Sequence, residues 1–116
     1  MFVMMGPGPH RPVREFEAAI RRGDLEMASV LAREIARARG KPISLDLALE
    51  LLPLVVAHDV DSYDGWACRW LVRWLSETRA PTIEDAAELA GALADMPSEP
   101  VPALAVLRRA RRRGPD

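Results

Sequence analysis

The sequence predicts an all-α protein, a single compact domain of five or six short helices arranged as a helical bundle or a short stack of helical hairpins. Three observations lead to this fold class. No segment alternates apolar and polar residues with the period of two that a strand shows. Apolar residues recur instead at helical spacing, in segments separated by glycine, proline or a capping side chain. The chain has 116 residues, of which 49% are hydrophobic, and this is enough for one buried core.

Capping and helix-breaking residues divide the chain into six predicted helices. Pro12 suits the first position of a helix, where no backbone N–H is needed. Asp24, Ser44 and Thr82 are expected to cap later helices, and Thr82 forms a predicted capping box with Asp85. The predicted helices span residues 12–22, 25–39, 45–58, 62–77, 83–94 and 102–113. Together they form a predicted helical domain, residues 12–113. A flexible Gly/Pro leader, residues 1–11, is expected before this domain, and a tail, residues 114–116, is expected after it.

The first two predicted helices form a hairpin. The segment Gly23-Asp24-Leu25-Glu26-Met27-Ala28 resembles the turn into the second helix of tetratricopeptide-like hairpins. This similarity covers about a dozen residues and implies two antiparallel helices. Phe16 stands where that family has a small residue, and no second copy follows at the family's repeat period.

Two later helices have a predicted place in the core. The helix over residues 45–58 carries leucine or valine on nearly every side, and a helix of that kind is buried at the centre of a domain. Pro53 lies inside it and lacks a backbone N–H, so we expect a kink or a break there. The helix over residues 83–94 is expected to bury Ala86, Ala90 and Leu93, with Leu89 as a further candidate.

All three tryptophans lie in the fourth predicted helix. Trp66, Trp70 and Trp74 are four residues apart and therefore share one face, and Arg69 and Arg73 are interleaved with them. Two interpretations stay open. The row is a candidate interaction face, because tryptophan is enriched at binding hot spots and arginine beside aromatic rings suits single-stranded nucleic acid. The leucines that widen the row favour the other interpretation, a face buried in the core.

An acidic turn precedes the tryptophan helix. His58, Asp59, Asp61 and Asp64 could in principle hold a divalent cation, but the spacing fails the EF-hand pattern, since Trp70 stands where the closing glutamate belongs. The turn is better interpreted as a helix N-terminus that Asp61 or Ser62 caps. No metal site is predicted.

The last predicted helix ends in a basic cluster. Its candidate phosphate-binding residues are Arg108, Arg109, Arg111, Arg112 and Arg113. The same arginines also suit the negative end of a helix dipole. Residues 84–99 are acidic and contain no lysine or arginine, so the tail of a second chain could pair with them.

No pattern in the sequence assembles a catalytic site. Cys68 is the only cysteine, which excludes an intrachain disulfide and favours a reducing compartment, and it is expected to act as a small apolar group. The net charge of −1 selects neither nucleic acid nor an anionic membrane, and no stretch is apolar over the length of a membrane span. We therefore expect a cytoplasmic, non-enzymatic adaptor or regulator without a cofactor, which binds another protein or itself through a helical face. The alternative is a nucleic-acid-binding regulator that uses the arginine cluster.

Overall fold

The chain is all-α, as the sequence predicts. The computed structural model describes the backbone of residues 10–113 and the side chains of residues 12–111, and this part of the chain contains six α-helices, one 3-10 turn and no strand. The helices are α1 (His10–Arg22), α2 (Leu25–Arg39), α3 (Leu45–His58), α4 (Tyr63–Glu77), α5 (Ile83–Asp95) and α6 (Pro100–Arg113). They belong to two compact units, Met1–Ile43 and Ser44–Asp116. The predicted tail, residues 114–116, and most of the predicted leader lie outside the described residues.

The first unit contains the α1–α2 hairpin. Gly23 adopts a left-handed φ of 75°, which a residue without a Cβ tolerates, and so reverses the chain between the helices. Asp24 then caps α2 as predicted, because its carboxylate accepts the N–H of Met27 at 3.0 Å. The first helix begins at His10, two residues before the expected start. The buried side chains of the hairpin are Phe16, Ala19, Ala28, Leu31 and Ile35.

In the second unit, α3 packs against both α4 and α6. Ser44 caps it as predicted, accepting the N–H of Leu47 at 3.3 Å. The helix continues through Pro53, so the alternative of a break at that residue is wrong. Continuity costs α3 one backbone hydrogen bond, because proline has no N–H to donate to the carbonyl one turn earlier. The buried residues of α3 are Leu45, Leu49, Leu51, Leu52, Leu54 and Val55.

Helix α4 is held to its neighbours by two buried side-chain hydrogen bonds. The indole N–H of Trp70 donates to the carbonyl oxygen of Leu45 in α3 at 3.1 Å. The hydroxyl of Tyr63 donates to the carbonyl oxygen of Leu93 in α5 at 2.6 Å. A 3-10 turn, Val60–Ser62, leads into α4, and Ser62 occupies the N-cap position without a side-chain bond to the helix. The predicted side-chain cap is therefore not formed.

Helices α5 and α6 form a second hairpin. The capping box at the start of α5 is confirmed in both directions, with Asp85 N–H to Thr82 Oγ1 at 3.0 Å and Thr82 N–H to Asp85 Oδ2 at 3.3 Å. Helix α6 begins at Pro100, two residues early, because proline at the first turn needs no hydrogen-bond partner. The prediction that Ala90 is buried is wrong, because the larger side chains of Leu89 and its neighbours turn Ala90 outwards. The buried residues of this hairpin are Leu89, Ala92, Leu93, Met96, Ala103, Leu107 and Ala110.

Burial should raise the pH at which Tyr63 ionises, and an absorbance titration can measure that change. Desolvation, with the nearby charge of Asp64, raises the pKa of this phenol from 10.0 to about 12. The neutral, buried phenol of Tyr63 contributes to the stability of the folded chain below pH 10.0. This contribution is lost as the pH rises through about 12, since between these values the phenol ionises readily only in the unfolded chain. Tyr63 is the only tyrosine, so the ultraviolet absorbance of the phenolate reports it alone. A transition near the ordinary value in the folded protein would contradict this, and Tyr63→Phe is the blank.

The two buried tryptophans should respond differently to removal of the indole N–H. Trp70→Phe removes the indole donor from the carbonyl of Leu45, whereas Trp74 Nε1 is buried with no partner among the described residues. Each substitution removes a similar volume, so we expect Trp70→Phe to cost about 1 kcal/mol more than Trp74→Phe. Urea unfolding of both variants measures the difference. Equal losses, or a larger loss for Trp74→Phe, would contradict the assigned hydrogen bond.

Candidate functional site

The predicted tryptophan face is largely packed inside the second unit. Trp70 is 3% exposed and Trp74 is 1% exposed, and only Trp66 lies partly at the surface. The hydrogen bond from Trp70 to α3 fixes one ring in place. Trp70 and Trp74 are therefore not available to a partner in this arrangement, in keeping with the core interpretation that the flanking leucines favour.

The two arginines of that face lie at its edge. The guanidinium of Arg69 is 5.8 Å from the ring centroid of Trp66, within the range of a cation–π interaction. Arg73 pairs with Glu77, one turn along α4, at 3.0 Å. What remains at the surface from the predicted face is thus one partly exposed ring covered by one arginine.

Cys68 is exposed on the outer side of α4. The expectation that it acts as a small apolar group in the core is wrong. Cys68 lies two residues from Trp66 and from Trp70, which places it on the side of α4 opposite the tryptophan row and away from α3. Among the described side chains, no group of three or more histidine, cysteine, aspartate or glutamate residues could hold a metal ion.

The arginine cluster is partly used within the fold. Arg108 Nη2 donates to both carboxylate oxygens of Glu50 at 3.0 Å. Arg111 Nε lies 3.0 Å from Asp46 Oδ1, an ion pair without a well-directed hydrogen bond, because the N–H does not point along the contact. Both acidic partners are on α3. The side chains of Arg112 and Arg113 lie outside the described residues.

The remaining described member of the cluster is Arg109, which is exposed. No ion pair between side chains of residues 12–111 includes it. It follows the groove-lining residues Pro102 and Val106 at helical spacing, so it continues the same row along α6.

A groove runs between α5 and α6. Its volume is about 290 Å³. Small side chains form its floor, proline and valine form one wall, and carboxylates stand along its length. The lining residues are Ala87, Glu88, Gly91, Ala92, Asp95, Glu99, Pro102, Ala103 and Val106. The sequence signal for this site is the acidic stretch without a basic residue, and no pattern in the sequence indicates the small residues that give the groove its depth.

The outer face of α5 beside the groove is apolar and exposed. Ile83 is 86% exposed, and Ala87, Ala90 and Ala94 follow it at spacings of four, three and four residues. These intervals place the four residues in one row along the helix. Next to the row, a Cβ added at Gly91 would meet no atom within 4 Å. Helix α5 therefore has an apolar row on the core side and a second one facing outwards.

Glycine at position 91 has no packing reason within the described part of the chain. In the interior of a helix, glycine costs about 1 kcal/mol relative to alanine. The space above Gly91 is open, so a larger side chain would fit without displacing a neighbour. What Gly91 provides is depth in the groove.

Each α-helix in the described part of the chain is too short or too polar to span a lipid bilayer. Comparison of the chain with protein-family models, with curated proteins and with solved structures finds no match. The α5–α6 groove and the surfaces around it are therefore interpreted from their own chemistry.

Proposed function

We propose that this chain is a small non-enzymatic adaptor or regulator that binds a basic helix, from another protein or from a second copy of itself, in the α5–α6 groove. The observation that supports this most directly is the groove itself, an apolar channel with acidic side chains along it and an exposed apolar row beside it. The proposal includes no catalytic residue and no cofactor. The single cysteine supports action in the cytoplasm, where thiols stay reduced.

The shape of the groove suits a helix. Its floor of glycine and alanine allows another backbone to approach closely, as small residues do wherever helices pack tightly. Covering Ile83 adds a hydrophobic contribution of about 1.5 to 3 kcal/mol, the usual value for fully burying such a side chain. A helix in the groove, leaning over α5, would gain both contacts.

The charge of the groove sets the character of its partner. Asp95 and Glu99 line it, and residues 80–107 contain neither lysine nor arginine. A helix with arginine or lysine beside a small apolar row is complementary in charge and in shape. Such complementarity raises the association rate and rejects acidic partners.

The tryptophan helix supports an interaction role less well than the groove does. Trp70 and Trp74 are buried, and the exposed part of that face is limited to Trp66 with Arg69. The α5–α6 groove is therefore a better candidate than α4 for the helical face that binds a partner.

The alternative proposal is nucleic-acid binding through the arginine cluster. It has less support, because Arg108 and Arg111 are paired with carboxylates of α3. A phosphate that bound either arginine would have to compete with a neighbouring carboxylate. Arg109 is the described residue of the cluster that is best placed to meet a phosphate.

Peptide binding tests the groove. A fluorescent, alanine-rich helical peptide with arginines along one face should increase in anisotropy when the protein is added. The same peptide with glutamate in place of arginine should not bind, since it meets the carboxylates of the groove. Failure of the arginine peptide to bind at any accessible protein concentration would overturn the proposal.

A matched pair of variants locates the binding surface. Gly91→Leu fills the groove and improves helix propensity, so it should fold at least as stably as the wild type and bind the arginine peptide at least about tenfold more weakly. Ala38→Leu places the same leucine side chain at an exposed position of α2 and should leave affinity unchanged. Equal binding by the two variants would place the peptide elsewhere.

A salt titration with a single-stranded oligonucleotide tests the alternative. Phosphate contacts release counterions, so real binding would weaken steeply as salt increases. We expect no binding at physiological salt. Tight, salt-dependent binding that Arg109→Ala reduces would favour the nucleic-acid proposal over the groove.

A further inference from the structure

The groove side of α6 has opposite charges at its two ends. Glu99 lines the groove just before the helix, Pro102 and Val106 follow, and Arg109 continues the row. The helical rise places Glu99 and Arg109 about 15 Å apart along the axis. The apolar residues lie between them.

This order of charges is self-complementary. In a two-fold symmetric dimer the same patch of both subunits meets, so a residue that contacts another is contacted by it in return. When two copies of α6 lie antiparallel, Glu99 of each copy reaches Arg109 of the other. Pro102 of each copy then lies opposite Val106 of the other, close to the symmetry axis.

We infer that the helix bound in the α5–α6 groove is α6 of a second copy, in an antiparallel two-fold dimer closed by two equivalent pairs between Glu99 and Arg109. This inference rests on the proposed function and names its partner. Arg109 supplies the basic residue that the groove requires, and it is exposed without an ion pair among the described side chains.

The surroundings of the groove support this arrangement. Asp95 adds negative charge to the same face, so positive charge on a second copy favours its approach. Arg109 is the described residue in register to supply that charge. A Cβ added at Gly91 would meet no atom within 4 Å, so the incoming helix can approach the backbone of α5 closely at this residue.

Charge reversal tests the pairing. Sedimentation velocity from about 1 µM to about 100 µM should show a monomer–dimer equilibrium for the wild type. Glu99→Arg alone and Arg109→Glu alone should each raise the dissociation constant at least about tenfold, because each variant opposes like charges at both ends of the interface. An equimolar mixture of the two variants should dimerise again, since both pairs are then restored between unlike copies.

Controls separate this effect from misfolding and from net charge. The thermal midpoint of each variant reports whether it is folded, and recovery of dimer in the mixture is possible only for folded chains. Arg37→Glu on α2 changes the net charge by the same amount as Arg109→Glu and should leave the dimer intact.

The outcomes distinguish the inference from the proposed function. A wild type that stays monomeric over the whole range, or single variants that stay dimeric, would overturn the antiparallel dimer. Peptide binding is measured separately on Glu99→Arg and on wild-type protein at low concentration. A wild type that stays monomeric over the whole range but binds the arginine peptide would keep the proposed function and reject the second copy as its partner. A wild type that neither dimerises nor binds the arginine peptide would reject both the dimer and the proposed function.

Discussion

The second unit depends on the burial of one helix. Helix α3 has leucine or valine around most of its circumference, and burial of such side chains is the main favourable term in folding. It packs against α4 and α6, and its remaining polar side carries Asp46 and Glu50. Those two carboxylates are the groups that meet Arg108 and Arg111. Two arginines of the basic C-terminal run thus help to hold α6 against α3, the same helix whose leucines form the core.

The elements that could be predicted from sequence are those that short-range chemistry determines. Asp24, Ser44 and Thr82 each bond a backbone N–H three residues ahead, so the pattern and its consequence lie within one turn. The all-α class follows from the same local signals. Helices α1 and α6 begin two residues before the predicted starts at Pro12 and Pro102, because proline is tolerated throughout the first turn of a helix and does not mark its first residue. Pro53 was tolerated inside α3 because the surrounding apolar contacts outweigh one missing hydrogen bond.

The candidate site was less predictable because it is made of long-range contacts. The ion pair between Arg108 and Glu50 joins residues that are 58 apart in the sequence, and no short sequence pattern predicts a contact of that range. Alanine and glycine in α5 fit a core and an open groove equally well, so the exposed position of Ala90 and Gly91 had to come from the structure. Tryptophan spacing defined the inner face of α4 correctly, yet spacing alone could not say whether a neighbouring helix or a partner covers it.

Cys68 gives this chain one exposed thiol, which is a unique site for chemical modification. It lies on α4, the helix whose opposite side holds Trp70 and Trp74. In an oxidising solution two copies can be joined only through this atom, since the chain has no other cysteine. Such a covalent pair meets through α4 and has no relation to the surface between α5 and α6. A maleimide dye at the same atom would be attached two residues after Trp66 and next to Arg69, and so the fluorescence of a labelled chain would report on events at α4 without any engineered residue.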